Sequence, residues 1–134
     1  IGTNTNATLV GTFLAANVTS NSDERVKKNV EDIPSYKALE VIKEVKGVRY
    51  NWKEKHEDGE FPEYHKDKPK DGLKEIGFIA QDLEKILPEL VENVNSDNDF
   101  KSVNYAKMVV VLTEAMKEQQ NQIEKLQKQL NKLL

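Results

Sequence analysis

Residues 34–46 carry Ala38, Leu39, Val41, Ile42 and Val45 at helical spacing, which predicts a helix with one apolar face. Asp32 or Ser35 is placed to cap its start, and Gly47 to end it. The period then changes. Val48, Tyr50 and Trp52 alternate with Arg49 and Asn51, as in a half-buried strand, and residues 73–78 read as a second strand able to pair with the first. Between them, residues 53–72 (KEKHEDGEFPEYHKDKPKDG) are almost wholly charged or turn-forming, which predicts an exposed arm longer than an ordinary connection. Residues 80–87 predict a short helix stopped by Pro88. Leu90, Val91 and Val94, then a Ser96-Asp97-Asn98-Asp99 turn, then residues 100–103 predict a hairpin.

The clearest periodicity comes last. Tyr105, Val109, Leu112, Met116, Gln119, Ile123, Leu126, Leu130 and Leu133 are spaced alternately four and three apart. This is a heptad seam, with Val109, Met116, Ile123 and Leu130 at a and the others at d. It predicts a coiled coil over residues 105–134. The flanking e and g positions include Gln120, Gln122, Gln127 and Gln129, which supply no charge code for choosing a different partner chain. Gln119 needs a hydrogen-bond partner inside the seam, and equivalent glutamines around a symmetry axis would provide one. The pattern predicts a homo-oligomer and leaves its order open.

Composition supports that expectation. With 134 residues, 37% hydrophobic and 32% charged, the chain has room for one domain, or a small domain with an appendage, around a thin core. There is no cysteine, so disulfides, thiolate metal sites and cysteine nucleophiles are excluded. His56 and His65 lie in the polar arm and read as solvated surface rather than a metal site; no calcium loop or phosphate-binding glycine loop occurs, and no cofactor is expected. The net charge of −3 gives no positive field for nucleic acid or an anionic membrane surface. No apolar run approaches the ~20 residues that span a bilayer.

Charge is unevenly distributed. Residues 1–21 contain no Asp, Glu, Lys or Arg, and charge begins abruptly at Asp23-Glu24-Arg25. The leader is rich in Thr, Asn, Ala and Gly, with Leu9-Val10 and Phe13-Leu14 pairs that a solvated linker would not need. It reads as the extended end of a longer β element, with a linker as the alternative. Beginning at Ile1 rather than Met, the chain reads as a fragment. Asn6-Ala7-Thr8 and Asn17-Val18-Thr19 match the glycosylation triplet, a pattern common by chance. Trp52 is most simply a core residue.

One chemical candidate stands at the boundary, in Ser22-Asp23-Glu24-Arg25-Val26-Lys27. A neutral lysine amine can activate a serine hydroxyl when burial or nearby cations depress its pKa. The spacing is awkward. Five residues apart, the side chains diverge by roughly 140° on a helix and face opposite sides of a strand. They can meet only through a bend or between chains. Ser22-Asp23 as a cap or turn, with Arg25, Lys27 and Lys28 as a solvated basic cluster, is the plainer interpretation of this motif taken alone.

The ordered motifs resemble the C-terminal intramolecular chaperone auto-processing domain of phage tailspikes, endosialidases and neck appendages, found also in a membrane-tethered transcription factor that cleaves itself. The matching stretches are Ser22-Asp23-Glu24-Arg25-Val26-Lys27-Lys28-Asn29, Val48-Arg49-Tyr50-Asn51-Trp52, Ile76-Gly77-Phe78-Ile79-Ala80-Gln81-Asp82 through Leu87-Pro88-Glu89-Leu90-Val91, and Val103-Asn104-Tyr105 leading into the heptads. The resemblance covers residues 22–134. It implies an α+β homotrimer: an upstream fibre segment (1–21), a chaperone domain with β-hairpins (22–104), and a coiled-coil helix (105–134). It also implies a Ser–Lys dyad with Ser22 as nucleophile and Lys27 as general base, and an arm at 53–72 that embraces an upstream fibre. The partners implied are two further copies and the upstream β-helical or fibre segment of the same polypeptide, with no nucleic acid and no membrane. The expected setting is a viral tail or appendage precursor assembled in the host cytoplasm.

Cleavage beside Ser22 has two possible positions. A serine hydroxyl attacking the carbonyl before it closes a five-membered ring, which favours the Asn21–Ser22 bond within one chain. The Ser22–Asp23 bond suits a serine from a neighbouring chain. The alternative function is a trimeric structural or adhesive fibre tip that does not cleave. A DNA-binding coiled coil is disfavoured, since residues 99–107 lack a dense basic run.

Overall fold

Pro34, with φ of −61°, starts helix α1 (Ser35–Glu44), where a missing N–H costs nothing because the first turn has no partner for it. The computed structural model of the chain describes residues 13–53, 72–93 and 100–134. Neither Asp32 nor Ser35 caps α1. Pro34 occupies the cap position without a side-chain bond, and the Ser35 hydroxyl instead donates to Glu114 Oε2 at 3.1 Å. The helix ends before Gly47, because Val45 is already extended at φ −66° and ψ 131°.

Strands β1 (Val48–Tyr50) and β2 (Glu75–Gly77) form one two-stranded sheet. Both are shorter than the alternation predicts. At the end of β2, the Phe78 N–H donates to the Tyr105 hydroxyl at 3.0 Å, so a side chain takes a donor that a longer ladder would use. The two rings stack with centroids 5.6 Å apart. A Cβ at position 77 would stand 2.5 Å from the Tyr105 hydroxyl, so this approach requires glycine. Trp52 lies past the end of β1 and is half-buried.

Helix α2 (Ala80–Glu84) is also shorter than expected. Pro88 forces its predecessor out of the helical region, and Leu87 sits at φ −135° and ψ 72°. A 3₁₀ turn (Pro88–Leu90) follows, so Leu90 belongs to a turn rather than to the predicted strand. Strands β3 (Val91–Asn93) and β4 (Lys101–Val103) then pair antiparallel, with Val91 opposite Val103 and Asn93 opposite Lys101. The predicted hairpin turn at 96–99 and Val94 lie outside the described residues, as do residues 1–12 of the leader and most of the predicted arm (54–71) with its two histidines.

Helix α3 (Tyr105–Leu133) is capped by Asn104, whose side chain accepts from the Lys107 N–H. Its root is tied down where Lys107 Nζ and Asn104 Nδ2 meet the Glu92 carboxylate, at 3.2 and 3.3 Å. The Asn104 bond first, then the Lys107 bond and charge, hold that carboxyl below its ordinary range.

The chain divides into two units, residues 1–30 with 51–75 and residues 31–50 with 76–134. In the second, Met108, Val111 and Ala115 of α3 are buried with Ala38 and Leu39 of α1, Leu83 of α2 and Leu90. This face of α3 is not the heptad seam. The seam residues Val109, Leu112, Met116, Ile123, Leu126, Leu130 and Leu133 are all exposed, and from Gln119 onward so is every residue. The fold is therefore a small α+β domain with two small sheets and a long C-terminal helix. No helix among the described residues is long and apolar enough to cross a membrane.

Candidate functional site

The charge boundary folds into a single 3₁₀ turn (Glu24–Val26). Asp23 caps it: one carboxylate oxygen accepts the Arg25 backbone N–H at 2.9 Å and Arg25 Nε at 3.0 Å, and the other accepts Arg25 Nη2 at 2.8 Å. Val26 N–H donates to the Asp23 carbonyl at 3.2 Å and Lys27 N–H to the Glu24 carbonyl at 3.0 Å, closing the turn. The Arg25 side-chain bonds first, then its backbone bond, hold the Asp23 carboxyl below its ordinary range.

Of the two routes that the spacing allows, a bend or a neighbouring chain, this turn supplies the bend. Lys27 leaves it in an extended conformation at φ −108° and ψ 148°, and its Nζ donates to Ser22 Oγ at 2.6 Å. Ser22 and Lys27 therefore meet within one chain, and no second copy is needed to bring them together. Two residues on, Asn29 adopts a left-handed φ of 54°, a region that asparagine tolerates better than most side chains.

The arrangement is suited to proton transfer between a hydroxyl and an amine, since the heavy atoms lie within direct reach. It is also open. Ser22, Asp23, Arg25 and Lys27 are all exposed, and so are the apolar side chains Val26 and Val30 beside them. Among the described residues no group of three His, Asp or Glu side chains is placed to hold a metal ion.

A second feature is the stripe of exposed apolar residues along α3. Sequence periodicity locates it, but gives no sign of the separate Met108, Val111 and Ala115 face. Those residues also recur three and four apart, and only α1 packed on them distinguishes the two stripes.

Residues 22–92 match the model of a peptidase family described as chaperone of endosialidase, slightly more than half of the chain. A stretch of 71 residues, 53% of the chain, is 34% identical to the uncharacterized protein VP1 of Micromonas pusilla reovirus (isolate Netherlands/2005). The match spans only 3% of that viral protein. The family match begins at Ser22, where the charge step falls, and ends before α3.

Proposed function

The chain belongs to the family of endosialidase chaperones, and on that premise we propose that it is a self-releasing intramolecular chaperone. Three copies associate through α3, set the register of an upstream fibre segment of the same polypeptide, and then cut beside Ser22. The observation that carries this reading is the 2.6 Å contact between Lys27 Nζ and Ser22 Oγ at the start of the family match.

In the proposed step, neutral Lys27 takes the Oγ proton as Ser22 attacks a carbonyl carbon. At the Asn21–Ser22 bond, the attack closes a five-membered ring. The C–N bond breaks, the Ser22 amine gains a proton, and the Asn21 carbonyl becomes an ester on Oγ. Water then hydrolyses that ester, leaving an Asn21 carboxylate and a free Ser22 hydroxyl. At the Ser22–Asp23 bond, the serine of a neighbouring chain would attack the Ser22 carbonyl; the C–N bond breaks, the Asp23 amine leaves with a proton, and water hydrolyses the resulting ester on the neighbour's Oγ to a Ser22 carboxylate and a free hydroxyl. Intact mass of the released piece separates the two.

A lysine works as a base only when its free amine is accessible at working pH, and removal from water favours that form. The single chain leaves the dyad open, so the reading assigns its enclosure to neighbouring copies, with Val26 and Val30 as apolar surface for them to cover. Cleavage then reports that assembly has occurred. The physical benefit is register: three strands must align before long-range contacts offset their lost entropy, and a clamp at the chain end holds them together while they do. Once the clamp is released, the fibre has no reverse route, and its persistence is kinetic. The family and the viral relative support a viral appendage precursor, which this reading has assembling in the host cytoplasm.

Denaturing electrophoresis of a chain carrying a longer upstream segment tests the proposal. Wild type should shorten and Ser22→Ala should remain full length. Equal sizes would instead identify a fibre tip that uses the scaffold without cleaving. Asp23 offers a finer check. Asp23→Ala removes the cap and should slow cleavage by about tenfold or more, since an ångström of misplacement is costly. Asp23→Asn keeps a capping oxygen and should retain most of the rate.

A further inference from the structure

We infer that Gln119 sets the axial register of the three α3 helices and, through them, of the upstream strands. The inference rests on the trimeric reading above. Gln119 is the one amide along the seam; the other positions are aliphatic apart from Tyr105 at its start, whose hydroxyl accepts from the Phe78 N–H. The neighbours of Gln119 are satisfied within the helix: Gln120 Nε2 donates to Glu124 Oε1 and Gln122 Nε2 to Glu118 Oε1, each at 3.0 Å. Among the described residues, the Gln119 amide has no such bond within the chain. Asn121, Gln127 and Gln129 likewise have none, and what sets Gln119 apart is that it alone of these stands at a seam position.

An aliphatic seam alone specifies register weakly. Sliding one helix by a heptad, about 10 Å, returns every a to an a level and every d to a d level. Leucine against leucine or methionine hardly distinguishes the two alignments. Gln119 does. In register, three amides share one level, and each can donate to the next carbonyl around the axis. Slipped by a heptad, the amide faces Leu112 or Leu126 of the other chains and is buried without a partner. Among the described residues no other element covers residues 119–134, which are exposed throughout, so within this half of the helix the seam itself carries the register.

The consequence reaches the fibre. An offset of about 10 Å corresponds to about three residues of extended chain, at about 3.3 Å each. An odd offset turns every inward side chain outward. A register error of a single heptad therefore defeats the alignment the clamp exists to supply.

The absence of cysteine allows a clean test. The whole chain is labelled with a nitroxide at Lys128→Cys, an outward f position, and interchain distances are measured by double electron–electron resonance on material that sediments as a trimer. With Gln119 present, one distance is expected. Gln119→Leu should remain trimeric but add a longer distance, from chains displaced by about 10 Å. Gln119→Asn should restore the single distance. An unchanged single distance in a trimeric Gln119→Leu variant would overturn the inference and leave the trimeric reading standing. Failure of the chain with native Gln119 to form a trimer would overturn both.

Discussion

Lys27→Arg is expected to lower self-cleavage by about 10²–10⁴-fold, the range that a positioned acid or base contributes. Arginine keeps the charge, much of the reach and the ability to donate to Ser22 Oγ, but its guanidinium does not give up a proton in proteins. The substitution thus separates a base from a tie. If Lys27 merely anchors Ser22 through the 2.6 Å contact, arginine should serve nearly as well. A time course of the cleaved fraction reads the difference, with sedimentation confirming that assembly is unchanged.

The second large effect is expected from Ile123→Asp combined with Leu126→Asp. These residues occupy adjacent a and d layers, so a trimer would enclose six new carboxylates without partners. Burying even one unpaired ion costs several kcal/mol, by the order of magnitude known for such groups. The trimer should fall apart. The folded core should survive, because Ile123 and Leu126 are 56% and 63% exposed in the single chain, and the core uses the other stripe of α3. Circular dichroism should show helix lost from the projecting end alone, since an isolated helix that short is marginal in water. Cleavage should cease with the trimer. A monomeric variant that still cut at the wild-type rate would separate assembly from chemistry.

Much of this architecture is legible in the sequence. The apolar period at residues 34–46, the alternation at Val48 and Tyr50 and the three-and-four spacing after Tyr105 mark a helix, a strand and a helix in turn, because side-chain periodicity directly reflects backbone period. The boundaries are less legible, for reasons that lie in tertiary contacts. Strand β2 stops where the Tyr105 hydroxyl, 27 positions beyond Phe78, takes a backbone donor. Ser35 is drawn away from capping by Glu114, 79 positions along the chain. Local propensity carries no record of either partner. At the site, spacing shows that Ser22 and Lys27 can meet only through a bend or between chains, and the single chain brings them together through a bend. Spacing does not reveal the bend itself, a 3₁₀ turn that Asp23 caps through the Arg25 backbone N–H. The second stripe of α3 escapes notice because one helix carries two overlapping apolar patterns, and only the position of α1 tells them apart.

The dependence of the per-chain cleavage rate on protein concentration tests most directly whether assembly switches on the serine. If enclosure by neighbouring copies is required, the rate should be constant where the chain is wholly trimeric and fall steeply on dilution, in step with the trimeric fraction seen by sedimentation. A rate that stays the same at dilutions where the chains have separated would contradict the account, and would make Ser22 and Lys27 a complete catalyst in a single copy.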